Sequence, residues 1–213
     1  HRFHSSPDHN NSLLAELKWK KGVISFQEAT LQSGEAFAKL HGTIQVPQKH
    51  LAINFSGANF PLENVMQNFV SRDLKKIFGK TDFVGSFTGW GKNFSLSIDG
   101  STKDGGWKDI AAEKIVSNFK LTYKKLKLHS KILQQDKQTG EVSLNIDYSN
   151  KLADGTRKKH LNLKGSIENY DLGASLKQAY GLSGIGNASI TLSGPQKSFT
   201  GKVKTLIEAG DWH

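Results

Sequence analysis

Apolar and polar residues alternate with a period of two along most of the chain, the pattern of strands with one dry and one wet face. Ala36, Ala38, Leu40, Gly42, Ile44 and Val46 share one parity, with Phe37, Lys39, His41, Thr43 and Gln45 on the other. Leu51-Ile53-Phe55-Gly57, Phe83-Gly85-Phe87-Gly89 and Phe94-Leu96-Ile98-Gly100 follow. So do Val142-Leu144-Ile146-Tyr148, Leu161-Leu163-Gly165-Ile167, Ala188-Ile190-Leu192-Gly194 and Phe199-Gly201-Val203. Strands of this kind belong mostly to antiparallel sheets. Between Phe119 and Leu133 the parity changes, from Phe119, Leu121 and Tyr123 to Leu126, Leu128 and Ile132. A bulge near Lys124-Lys125 in a twisted or curved sheet would absorb the slip.

One stretch departs from the β pattern. Leu62, Val65, Met66, Phe69, Val70, Leu74, Ile77 and Phe78 recur at helical spacing, with Pro61 before and Gly79 after. They predict an amphipathic helix over 62–78 that packs on the sheet or closes over an apolar groove. As a lid, it would act through Val65, Phe69, Leu74 and Ile77.

The chain also repeats itself. Leu51 to Phe60 and Leu161 to Tyr170 share one spacing. Gly89 to Phe94 matches Gly194 to Phe199, and Phe94 to Trp107 matches Phe199 to Trp212. The segment after Tyr170 is shorter than the one after Phe60, so a shorter helix is expected at about 172–180. The expected organisation is a mobile end over 1–11, a first β-repeat over 12–112 and a second over 113–213, joined as one array whose units stack on their neighbours.

Composition narrows the function classes. The 213 residues carry 29 Lys+Arg against 19 Asp+Glu, a net charge of +10, with no cysteine. Disulfide frameworks, cysteine nucleophiles and thiolate metal sites are therefore excluded. No apolar run is long enough for a membrane-spanning helix. The chain opens at His1 without an apolar leader and reads as a mature or excised piece. No nucleophile elbow, phosphate-binding loop or zinc-protease motif occurs, so an enzyme is not expected, nor a cofactor or metal. His41, His50, His129 and His160 are scattered, and Asp99, Asp104 and Asp109 read as turn residues near Gly100 and Gly105-Gly106. Basic clusters at Lys18-Lys20-Lys21, Lys75-Lys76-Lys80, Lys124-Lys125-Lys127 and Arg157-Lys158-Lys159 suit solvated faces or anionic headgroups. Nucleic acid is not an expected partner, because arginine is scarce and no recognition signature is present.

The phrases Phe60-Pro61-Leu62 and Gly85-Ser86-Phe87-Thr88-Gly89-Trp90-Gly91, with Phe94 to Gly100, resemble the AsmA-like superfamily, including TamB-type proteins. Gly181 to Pro195 and Leu40 to Pro47 are similar to it as well. The resemblance implies a curved, elongated, antiparallel-rich sheet, trough-like with an apolar interior. It implies a periplasmic segment of a large inner-membrane-anchored protein of a Gram-negative bacterium. The implied work is phospholipid transport between the membranes or outer-membrane biogenesis. The implied partners are acyl chains, further repeats of the same parent chain and outer-membrane assembly proteins.

From the residues alone, Leu51, Ile53, Phe55, Phe94, Leu96, Ile98, Leu144, Ile146, Leu163 and Ile190 are the candidates for an acyl-binding face. The same pattern equally describes two faces closing on each other as an open sandwich. The alternative function is a surface-exposed adhesin-type β-module that binds carbohydrate or protein through loop tryptophans such as Trp90 and Trp107.

Overall fold

A computed structural model describes residues 2–4, 11–63, 77–107, 110–149, 159–172, 184–195 and 198–208. The chain folds mainly as β, in one open antiparallel sheet of thirteen strands. The strands are β1 (Arg2–His4), β2 (Asn11–Lys20), β3 (Val23–Ser33), β4 (Ala36–Gln45), β5 (His50–Pro61), β6 (Ile77–Thr88), β7 (Ser95–Trp107), β8 (Ile110–Thr122), β9 (Lys125–Gln134), β10 (Lys137–Asp147), β11 (His160–Asp171), β12 (Ile185–Pro195) and β13 (Thr200–Glu208). Their order in space is their order in sequence, and β1 and β13 are the two free edges. Every strand anticipated from the alternation is present.

Two expectations about strand ends are corrected. The parity change between Phe119 and Leu133 comes from a hairpin turn at Tyr123-Lys124, with no bulge needed. Phe119 pairs with Leu128 and Leu121 with Leu126, so both strands present the same side. The Thr122 hydroxyl holds the turn by accepting from the backbone N–H of Lys124 and of Lys125, at 3.4 and 3.1 Å. The turn expected around Gly105-Gly106 lies inside the β7–β8 ladder, where Gly105 faces Ala112 and Gly106 faces Ala111. Asp99 is likewise a mid-strand residue, and Asp109 is outside the described residues.

The amphipathic helix is corrected at its end. Ile77 and Phe78 belong to β6, where they pair with Trp107 and Gly106. Gly79, which resembles a helix stop, sits at a break in register within that strand, with φ +126°. A Cβ there would lie 2.7 Å from the Gly105 Cα, so glycine serves the close approach of two strands. Leu62, Glu63 and Leu172 have helical backbone. The rest of the two helices, including Val65, Phe69 and Leu74, falls outside the described residues. At the N-terminus, expected to be mobile, Arg2–His4 pair with Leu14–Glu16.

Cross-strand pairing aligns the apolar positions into unbroken rows. One row runs Ala15, Ala29, Leu40, Phe55, Gly85, Ile98, Phe119, Leu128, Leu144, Leu163, Leu192, Gly201, from β2 to β13. A second runs Leu17, Phe26, Gly42, Ile53, Phe87, Leu96, Leu121, Leu126, Ile146, Leu161. The opposite face carries the polar partners, for example Asn54, Ser86, Ser97, Lys120, Lys127, Asn145, Asn162 and Ser193 in a single row.

Among the described residues no second layer covers the apolar face. The accessible surface is 14559 Å², against about 9,800 Å² for a compact protein of the same mass. Among the described residues the buried apolar ones are Ala36, Ala112 and Tyr170, and no large side chain is fully buried.

Sequence-adjacent strands pair throughout, so the turns alternate between two rims. The first rim carries the β2–β3, β4–β5, β6–β7, β8–β9, β10–β11 and β12–β13 connections, and the second rim carries the others. Near the second rim two strands show matching local geometry. Asn59 and Asn169 have φ of 56° and 52°. Each lies within a register break, between Gly57 and Phe60 and between Ile167 and Tyr170. Each donates its backbone N–H to a side chain on the next strand, Asp82 at 2.9 Å and Asn187 at 2.8 Å.

Candidate functional site: an uncovered apolar face

Nine of the sequence candidates lie on one face as a consequence of register. Phe55, Ile98, Leu144 and Leu163 occupy the first row, and Ile53, Leu96 and Ile146 the second. Leu51, opposite Ile44, and Ile190, opposite Gly165, extend the face on either side. Phe94 joins from the β6–β7 connection by stacking on Phe87, with ring centroids 5.8 Å apart and planes at 3°. All ten are half-buried. Ile77, expected in a lid, is a strand residue, and the other lid candidates lie outside the described residues.

Glycines fit under the aromatic rings of this face. A Cβ on Gly85 would meet the Phe55 ring at 2.5 Å, and one on Gly57 would meet the Phe83 ring at the same distance. Phe83 packs between Phe55 and Phe60, with centroids 6.1 and 5.4 Å away. The large rings therefore lie down over neighbouring strands and fill the spaces that glycine leaves.

At the second rim one contact spans several strands. The Tyr170 hydroxyl of β11 donates to the Ala111 carbonyl of β8 at 2.6 Å. Three strand spacings in a flat sheet measure about 14 Å, further than a tyrosine side chain reaches. Beside it, Gln134 of β9 donates to the Asp171 carbonyl at 3.3 Å and accepts from the Asp171 N–H at 3.0 Å. A recess of about 870 Å³ at this end is lined by Asp104, Glu113, Glu168 and Asp171, among others.

The polar face holds an arrangement that sequence reading missed. His129 Nδ1 lies 2.9 Å from the Ser143 hydroxyl, one strand over, and Asn118 and Asp99 continue the same row. Only the β9–β10 register brings the pair together, and no local spacing signals it. Ser143 sits in mid-strand between two paired neighbours, so the ladder occupies the amides that would otherwise form an oxyanion site. Lys120 and Lys127 face each other directly, a like-charge pair that disfavours the sheet unless anions or water screen it. Among the described residues no group of three His, Asp or Glu side chains is placed to hold a metal ion, and no helix is long and apolar enough to cross a membrane.

Fold and face together define an open antiparallel meander with one continuous apolar surface that no described residue layers over. Comparison with protein-family models, with curated proteins and with solved structures finds no match to this chain.

Proposed function

We propose that the chain is a non-catalytic segment of an AsmA/TamB-like envelope protein, and that its apolar face forms a groove for phospholipid acyl chains. On this reading it lies in the periplasm of a Gram-negative bacterium, within an inner-membrane-anchored parent. There it serves phospholipid transport between the inner and outer membranes or outer-membrane biogenesis, alongside further repeats and outer-membrane assembly proteins.

The carrying observation is the apolar row that crosses β2 to β13 with no covering layer among the described residues. Bare hydrocarbon on this scale costs free energy in water, and acyl chains remove that cost at about 0.8 kcal/mol per buried CH₂. A groove shape is supported by the Tyr170–Ala111 hydrogen bond, which a flat sheet does not permit. It is also supported by strand number, since open sheets beyond about ten strands tend to curl. The matched geometry at Asn59 and Asn169 supports two tandem six-strand units, β2–β7 and β8–β13. An adhesin-type module draws on the exposed Trp90, but it leaves the apolar rows without a role.

Lipid extraction and mass spectrometry test the reading. Protein purified from envelope fractions is expected to carry phospholipid, and the double variant Ile98→Asn, Leu163→Asn to carry at least about fivefold less. Wild-type protein free of phospholipid would sink the groove, and glycan-array binding that depends on Trp90 would favour the adhesin.

A further inference from the structure

The two rims of the sheet differ in chemistry. At the first rim, each connection or the strand end beside it carries an apolar or aromatic side chain, four of them exposed. Trp19 is 73% exposed, Val46 49%, Trp90 45% and Phe199 46%. Tyr123 and Tyr148 stand half-buried at the two connections between.

Lysines interleave with these side chains. Lys21 and Lys49 occupy left-handed turn positions with φ of 48°, and Lys92, Lys124 and Lys159 are exposed on the connections that follow. Lys92 reaches the Tyr123 ring from the neighbouring connection, 6.0 Å from its centroid, and Lys159 lies 5.9 Å from that of Tyr148. The described carboxylate at this rim is Asp147, held by Lys125 at 3.7 Å. At the second rim the described connections and strand ends mix Glu35, Asp104, Asp136, Glu168 and Asp171 with the exposed Lys80, Lys103 and Lys137, and Lys80 pairs with Glu35.

A row of amphipathic aromatics and lysines with one carboxylate among the described residues has the chemistry of a bilayer interface. Trp and Tyr rings settle at headgroup level. Lysine lays its stem along apolar neighbours and presents its charge to phosphate. Anionic lipids attract each such cation. The spacing suits a planar partner: thirteen strands at about 4.8 Å make a rim roughly 58 Å long, with an anchor about every 10 Å.

We propose that the first rim docks on the surface of an anionic phospholipid bilayer, with Trp19, Trp90 and Phe199 inserted at headgroup depth and the lysines on the phosphates. The second rim, of mixed charge, then points away from the membrane. The end of the apolar face nearest the first rim meets the lipid. This docking does not depend on acyl chains occupying the face, and the two ideas fail separately.

Vesicle flotation of the full chain tests it. Wild-type protein is expected to float with phosphatidylethanolamine–phosphatidylglycerol vesicles and to stay below with pure phosphatidylcholine. Its tryptophan emission is expected to shift to the blue and to be quenched by brominated acyl chains. Two variants target the rim: the set Lys21→Glu, Lys49→Glu, Lys92→Glu, Lys124→Glu, and the pair Trp19→Ser, Trp90→Ser. Each is expected to lower partitioning at least about tenfold. A control set on the polar face, Lys120→Glu, Lys127→Glu, Lys164→Glu, is expected to cost less than about threefold.

All these positions are exposed, and an unchanged circular dichroism spectrum and melting midpoint verify that the variants fold. Failure of wild-type protein to float overturns the proposal, as do rim variants that float like wild type or a control set that loses as much. Rim variants that lose flotation but still co-purify with phospholipid separate the docking from the groove. If wild-type protein floats without co-purified lipid, the docking stands and the groove falls.

Discussion

Among the described residues, Tyr170 is the one large side chain almost removed from water, at 4% exposure. Its hydroxyl gives a distant strand a bond that the sheet ladder does not supply. Tyr170→Phe keeps the ring and leaves the Ala111 carbonyl short of this donor, so about 1–3 kcal/mol of stability should be lost. Urea unfolding reads this as a lower midpoint with an unchanged slope. Two surface carboxylates add a pH dependence. The Lys80 ammonium donates to Glu35 at 2.8 Å, and this hydrogen bond and the lysine charge hold the Glu35 carboxyl below its ordinary value and Lys80 above its own. The Ser149 hydroxyl and backbone N–H hold Asp147 down, with Lys125 adding to the effect.

A carboxyl lowered on folding contributes stability that is present above its unfolded pKa and is lost as pH falls through its folded value. The raised Lys80 contributes below its unfolded pKa, and that part is lost as pH climbs through the folded one. Glu35 and Lys80 are exposed and Asp147 is half-buried at the surface, so the effect is small. The melting midpoint should fall on acidification through the carboxylate range, and Glu35→Gln with Asp147→Asn should flatten that limb. An acid limb unchanged by the pair would exclude these contacts as its source.

At the scale of elements, β13 is the exposed edge. Val203 and Ile207, on its apolar face, are 64% and 46% exposed, and its outer backbone groups have no strand partner among the described residues. Such an edge recruits strands from other molecules, and an inward lysine blocks the pairing. Wild-type protein should associate with rising concentration in sedimentation velocity, and Val203→Lys should move it towards monomer without lowering the melting midpoint. Association unchanged in the variant would exclude β13 as the contact.

Alternation made β4 to β7 and β10 to β13 legible from residue order, because a strand with one wet face writes its period into the chain. β2 and β3 were harder to read because register breaks between Glu16 and Leu17 and between Phe26 and Ala29 reset the parity. Ile77 and Phe78 fit a helical spacing, yet their pairing with β7 puts them in a strand. Tertiary pairing there overrides a local period. The apolar positions themselves were visible, but their common face was not. That face depends on twelve cross-strand registers, as does the meeting of His129 with Ser143, and no single stretch of sequence contains a register.

For the whole molecule, the ratio of exposed to expected surface is the governing quantity. About half as much surface again as a compact chain leaves the apolar face short of partners. Any ligand that covers it binds the native sheet in preference to the unfolded chain and must therefore raise the melting midpoint. The rims add a direction to that face, aromatic and basic along one side and of mixed charge along the other.

The strict agreement of spatial order with chain order has a further consequence. Each described strand pairs only with its neighbours in sequence, so nothing in the pairing order fixes how many strands there are. Inserting or duplicating one hairpin lengthens the apolar face by about 10 Å and brings with it one more rim anchor of the same kind. Such a surface can be fitted to a span of any width by copying a short stretch of coding sequence, with no repacking of what is already there.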